Sequence, residues 1–190
     1  MIVEIGHYAL VLALALALAG GTLPFWGALR GDVRLMSVAS TTAVEQFLFV
    51  ALSFAVLTYA YVVSDFSVQN VVENSHTLKP LLYKISGVWG NHEGSMLLWV
   101  LILVLFGALV AMFSENLPLK LKALVLSVQS WISAAFLLFI LIASNPFLRL
   151  DPAPLEGRDL NPLLQDVGLA IHPPDRKSTR LNSSHDQISY

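Results

Sequence analysis

The side chains able to do chemistry are few, and most of them are imidazoles. His7, His76, His92, His172 and His185 are the histidines of the chain, and it contains no Cys. A neutral imidazole is the commonest protein ligand for haem iron and titrates near neutral pH, so His7, His76, His92 and His172 are candidates for metal binding or proton transfer, while His185 is discounted with the polar tail around it. The missing thiols exclude disulfides, thiolate metal sites, thiol catalysis and covalent haem attachment to this chain. His92-Glu93 has no second His at helical spacing, which rules out the metalloprotease-type zinc pattern. A pI of about 6.2 and the lack of any basic stripe leave no footprint for nucleic acid.

Two segments carry the densest local signals. The run Ser86-Gly87-Val88-Trp89-Gly90-Asn91-His92-Glu93-Gly94-Ser95 precedes a Leu-rich stretch. Asn91 is suited to cap the helix that follows, and Glu93 in its first turn complements the helix dipole. Gly90 and Gly94 permit tight backbone and have the spacing of a helix-pairing motif. The second segment ends in His172-Pro173-Pro174. The residue before a proline is driven to extended geometry, and the paired prolines suit the start of a further helix, so His172 is held stiffly.

The elements that must position these residues are membrane helices. Only 13% of the 190 residues are charged, against roughly 25% in soluble domains, and the mean hydropathy is +0.69. Uncharged stretches run over residues 5–29, 46–64, 94–114 and 123–148. Each can cross the hydrocarbon layer, where about 20 residues suffice and only helices satisfy the backbone. The expected fold is therefore an all-α, polytopic transmembrane bundle of four spans, with outer loops at 65–93 and 149–174. A cleaved signal peptide is the competing reading of the first stretch, with its Leu-Ala repeat, but Glu4 precedes it and no Lys or Arg does.

Lys and Arg are denser in the short loops (Arg30, Arg34, Lys120, Lys122) than in the long ones (Lys79, Lys84, Arg149, Arg158), which places the N-terminus outside. Trp26, Tyr59, Tyr61 and Trp89 fall near span ends, where aromatic rings favour the headgroup layer. Six of the nine prolines lie between Asn145 and Pro174, giving a Pro-rich, turn-rich outer loop. Within it, Asn161 and Pro162 open a short helix whose Leu163, Leu164, Val167 and Ile171 would lie along the membrane surface. Residues 175–190 are polar and aperiodic and read as a tail foreign to the rest of the chain.

The runs YKISGVWGNHEGSMLLW (Tyr83 to Trp99) and NPFLRLDPAPLEGRDLNPLLQDVGLAIHPP (Asn145 to Pro174) resemble the N-terminal part of the CcmF family of cytochrome c-type biogenesis proteins. CcmF is the large subunit of the bacterial haem lyase, and the nitrite-reductase-specific paralogue is similar. The resemblance covers residues 1–174. It implies a multi-pass inner-membrane protein that receives haem from a periplasmic haem chaperone. With the subunits that present apocytochrome c, it helps join the vinyl groups to CxxCH cysteines. The cofactor would be b-type haem, bound transiently and not covalently.

The same resemblance makes His172 an axial ligand of the haem iron, with His92 a lesser candidate. Arg149, Arg158 and Lys84 become possible partners of the haem propionates, and Trp89, Gly90, Asn91, Glu93, Gly94, Pro173 and Pro174 become motif or architectural positions. The family's tryptophan-rich segment, second periplasmic His and intramembrane His pair have no counterpart here. Six-coordinate haem needs two axial ligands, so His172 alone should bind weakly and the chain by itself should not turn over. Two other classes compete: a fragment of a transporter, disfavoured because acidic residues such as Glu45 and Glu93 lie at span edges and not at mid-membrane, and a non-catalytic assembly anchor. Reporter fusions at Lys120 and Arg158 are expected to lie on opposite sides of the membrane. Placement on the same side would rule out the four-span topology.

Overall fold

The computed structural model describes residues 1–158. It contains six helices: α1 (Ile2–Arg30), α2 (Val33–Val62), α3 (Gln69–Asn74), α4 (Leu81–Gly87), α5 (His92–Phe113) and α6 (Leu119–Ala143). α1, α2, α5 and α6 are long and apolar enough to cross a membrane. No strand occurs among the described residues, only an isolated antiparallel bridge between Val68 and Arg149. The expected all-helical, four-span bundle is therefore present. His172, Pro173, Pro174, the expected 161–171 helix and the 175–190 tail lie outside the described residues.

Helix ends depart from the edges of the uncharged stretches for a physical reason. Ionisable residues limit what hydrocarbon accepts, whereas a helix continues until capping chemistry stops it. α2 therefore starts at Val33, well before Gln46, and carries Glu45 exposed near its middle. Only Gly31 and Asp32 separate α1 from α2. Gly31 takes φ 72°, a left-handed C-cap that glycine adopts without strain, and the Asp32 carboxylate accepts from Arg34 N–H at 2.9 Å to cap α2. At the other end of the bundle, α6 stops at Ala143 because Pro146 cannot continue it.

α1 packs most extensively on α2, and its sequence explains how. The buried positions Gly6, Ala9, Ala13, Ala17, Gly20, Pro24 and Gly27 recur at three- and four-residue spacing. They form a small-residue seam along which the two backbones approach, as helices do in lipid, where leucine gains nothing from burial. The Leu-Ala repeat thus puts Ala13 and Ala17 inside and leaves Leu12 and Leu18 on the outer surface. Larger side chains fill the loop-rich end of the core, where Leu57, Tyr61, Val68, Val71, Val88, Leu97, Leu137 and Ile140 are fully buried.

Trp26 is exposed and stacks under the Arg30 guanidinium, 4.6 Å from its ring centroid, as an interfacial aromatic can. Tyr61 behaves otherwise. It is wholly buried, with its hydroxyl spent inside the protein.

The hairpin end yields a graded prediction. A Cβ on Gly27 would lie 2.6 Å from Leu35 Cβ and 2.9 Å from Met36 N, whereas a Cβ on Gly31 meets nothing within 4 Å. In mixed-micelle denaturation, Gly27→Ala should cost about 1–3 kcal/mol through overpacking. Gly31→Ala should cost about 1 kcal/mol through backbone strain alone. A Gly27→Ala chain as stable as the parent would show that the α1–α2 contact is looser than described.

Candidate functional site

The chemically able side chains gather at one end of the bundle, where α1 begins, α2 and α6 finish, α5 begins, and α3 and α4 fill the connection between α2 and α5. The first turn of α5 organises this end. Asn91 accepts from Gly94 N–H through Oδ1 at 2.7 Å, the capping bond that its position promised. The same oxygen takes Asn70 Nδ2 at 3.0 Å, and Asn91 Nδ2 donates to Tyr61 Oη and Gly87 O, both at 2.9 Å, and to Val88 O at 3.1 Å. Tyr61 Oη in turn donates to Asn70 Oδ1 at 2.5 Å, and Asn70 Nδ2 also reaches Glu93 Oε2 at 3.2 Å. One carboxamide therefore ties the ends of α2, α4 and α5 to α3.

The glycines of the motif do different jobs. A Cβ on Gly94 would strike the Val88 carbonyl, so this position needs a residue without one. At Gly90 the nearest atoms would be 3.3 Å away, and its N–H donates to Gly87 O at 3.1 Å. Trp89 stacks on Phe54, ring centroids 6.4 Å apart, and so packs against the core.

Two imidazoles flank the end of α6 on consecutive residues. His92 Nδ1 lies 3.0 Å from Ser144 Oγ, and the ring meets Phe139 edge-on at 6.5 Å. His7 Nδ1 accepts from Asn145 Nδ2 at 3.3 Å. In both, Nε2 is the ring nitrogen left for a second partner. His92 is exposed and His7 half-buried. His76 is placed elsewhere: its Nδ1 accepts from Leu78 N–H at 3.2 Å, and Nε2 is 3.9 Å from Glu156 Oε1. Among the described residues, no three His, Cys, Asp or Glu side chains are grouped to hold a metal ion.

The segment after α6 is pinned across this end. Arg149 pairs with Glu4 through Nη2 at 2.6 Å and Nε at 3.1 Å, with Asp65 through Nη1 at 3.5 Å, and donates to Ser67 Oγ. Gln69 N–H donates to Leu148 O and Leu150 N–H to Ser67 O, both at 2.9 Å. Further on, Glu156 accepts from Thr77 N–H at 3.0 Å and Thr77 Oγ1 at 2.8 Å, and these bonds, the backbone one foremost, hold its carboxyl below the usual range. Arg158 N–H donates to Val72 O at 2.6 Å while its side chain is exposed. Lys84 Nζ donates to Ser64 Oγ at 2.7 Å.

The structure thus brings Trp89, Gly90, Asn91, His92, Glu93, Gly94 and Arg149 to one end of the bundle. Asn70, Ser144, Asn145 and Glu4 join them, none of which the sequence marked as a site residue. Asn145-Pro146 as a helix stop was the only signal available for that group. Asn91 allows a direct test of the network. As a cap alone, Asp serves as well as Asn. Asn91→Asp, however, replaces the donor to Tyr61, Gly87 and Val88 with an acceptor, and should cost at least about 2 kcal/mol in mixed-micelle denaturation. Stability equal to the parent would reduce Asn91 to a cap.

Comparison with known proteins places this arrangement. Residues 89–175 match the family described as cytochrome C assembly protein. The chain is 69% identical over 174 residues to the cytochrome c-type biogenesis protein CycK of Rhizobium meliloti, covering 92% of this chain and 26% of that protein. It is 50% identical over 175 residues to the Escherichia coli CcmF, covering 92% of this chain and 27% of the relative. NrfE of Haemophilus influenzae is 40% identical over 174 residues, with the same two shares. Among solved structures, the cytochrome c heme lyase CcmF superposes with a TM-score of 0.71 at 30% identity, over 77% of this chain and 25% of that one. The chain thus spans about a quarter of the length of the curated relatives it matches. With its sequence matched over nearly its whole length and its helices arranged as in a solved relative, the chain belongs to the CcmF family of cytochrome c-type biogenesis proteins.

Proposed function

We propose that this chain is part of a haem-handling membrane subunit of cytochrome c maturation, with its loop-rich end facing the periplasm of a bacterial inner membrane. The observation that carries this reading is the 69% identity over 174 residues to a protein named for cytochrome c-type biogenesis. The 30% identical solved relative, named a heme lyase, points the same way. In this reading a haem chaperone delivers the cofactor, and other subunits present apocytochrome c. His172 is an axial ligand to the iron, fourteen residues beyond Arg158.

The described residues can be tested against haem by their chemistry. His92 fits a ligand or orienting role: it is exposed, and Ser144 engages Nδ1, as the outer contact of a haem-ligating imidazole commonly does. Arg149 is poorly placed for a propionate, because its guanidinium is already committed to Glu4 and Asp65. Lys84 is engaged by Ser64. The exposed side chain of Arg158 is the better placed cation. When bound, haem supplies the vinyl carbons that take up the cysteine thiols of apocytochrome c. This chain's residues contribute the ligand and a fixed platform, since Arg149, Leu150 and Arg158 anchor the chain leading to His172.

The test is a chimera in which residues 1–174 replace the matching part of a full-length relative in a strain lacking its own copy. His172→Ala should lower haem-stained holocytochrome c at least tenfold and weaken the haem absorbance of the purified subunit. Arg149→Lys should leave that absorbance in place while lowering thermal stability. Full holocytochrome c yield from His172→Ala would remove His172 from the ligand role.

A further inference from the structure

A polar seam crosses the middle of the otherwise apolar bundle. Thr42 and Gln46 of α2 face Gln129, Ser130 and Ser133 of α6, and glycines make the room. A Cβ on Gly20 of α1 would lie 2.7 Å from Thr42 Oγ1, and one on Gly107 of α5 would lie 2.7 Å from Gln129 Nε2. Gln46 is about 20 Å along α2 from Val33 and about 24 Å from Val62, at 1.5 Å per residue, so this seam lies deep in the membrane.

Several of these groups are satisfied within the helices. Thr42 Oγ1 donates to Val38 O at 2.9 Å, and Ser133 Oγ to Gln129 O at 3.0 Å. Gln129 Nε2 donates across to the Leu103 carbonyl of α5. Gln46 differs. Its side chain is 3% exposed, and Nε2 has no acceptor among the described residues. Gln46 lines a cavity of about 10 Å³ between α2, α5 and α6, together with Gln129, Ser130, Ser133, Gly107 and Ala43.

A carboxamide donor left without an acceptor in hydrocarbon is heavily penalised, and an aliphatic side chain would fit this helix face without that penalty. The cavity is near the size of one water molecule and far below that of a site for an organic ligand. No charged side chain lines it, so its occupant is neutral. Its hydroxyl and carboxamide walls supply the two to four polar contacts that a buried water requires. We propose that this cavity is a binding site for a single water molecule, which accepts from Gln46 Nε2 and is held among Gln129, Ser130 and Ser133 within the membrane. The site is independent of any haem contact at the loop-rich end.

The test uses the full chain in lipid nanodiscs, labelled with ¹⁵N-glutamine, and reads magnetisation transfer from water to side-chain amides. Gln46→Met assigns the Gln46 signal by its disappearance. The expected result is a water cross-peak on the Gln46 carboxamide that is lost in Ala43→Val, whose added methyls fill the cavity while the Gln46 signal remains. A parent Gln46 amide without a water cross-peak overturns the proposal. So does a cross-peak that persists unchanged in Ala43→Val, since the water then lies elsewhere. The parent spectrum decides occupancy by itself, so a variant that fails to insert leaves the proposal exposed to refutation.

Discussion

The carboxamide of Asn91 is the interaction on which the loop-rich end depends. Where helices leave hydrocarbon, their terminal N–H and C=O groups need partners that lipid cannot give. Asn91 supplies an acceptor to α5 through Gly94 N–H and donors to the last carbonyls of α4, and it reaches Tyr61 of α2 and Asn70 of α3 with the same group. No other residue type offers two donors and an acceptor from so short a side chain at a cap position. Gly94 is the corollary: the chain must double back so tightly on Val88 to form this knot that a β-carbon has no space.

Away from that knot, stability in the membrane comes from close approach rather than from hiding apolar surface. Along α1 the buried positions are mostly small, with Leu10 and Val3 the exceptions, while bulky residues including Leu12, Leu18 and Phe25 face outward. This inverts the arrangement of a soluble helix and follows from the lipid tails being as apolar as leucine. It also frees the interior for polar side chains, and Gly20 and Gly107 open the space that Thr42 and Gln129 occupy.

Composition and run length made the four-helix plan legible, because a bilayer leaves one economical conformation for twenty uncharged residues. Asn91 as a cap was legible because it acts through its immediate neighbours, whereas the uncharged stretch ran on to residue 148 and overshot the stop that Pro146 imposes on α6. The start of α2 was hidden, because Arg34 and Glu45 interrupt the uncharged pattern but do not interrupt the helix. Tyr61 looked like an interfacial ring and is a core residue, since its position depends on Asn70 and Asn91, nine and thirty residues away. The pairings of Arg149 with Glu4 and of His92 with Ser144 span still longer separations, and no local pattern encodes them.

Those long-range pairings bind the two halves of the site into one mechanical unit. Glu4 is in the first turn of α1, Asp65 follows α2, and both hold Arg149 after α6. The segment that Arg149 begins is then stitched to α3 and its flanks by Leu150, Thr77 with Glu156, and Arg158 with Val72. The ion pairs of Arg149 are partly exposed and weak singly. Their common direction matters more than their sum, because every one fixes the same strand of chain to the top of the bundle. A shift of α1 against α2 would be felt at Arg149, and through it at the point from which the chain departs toward His172.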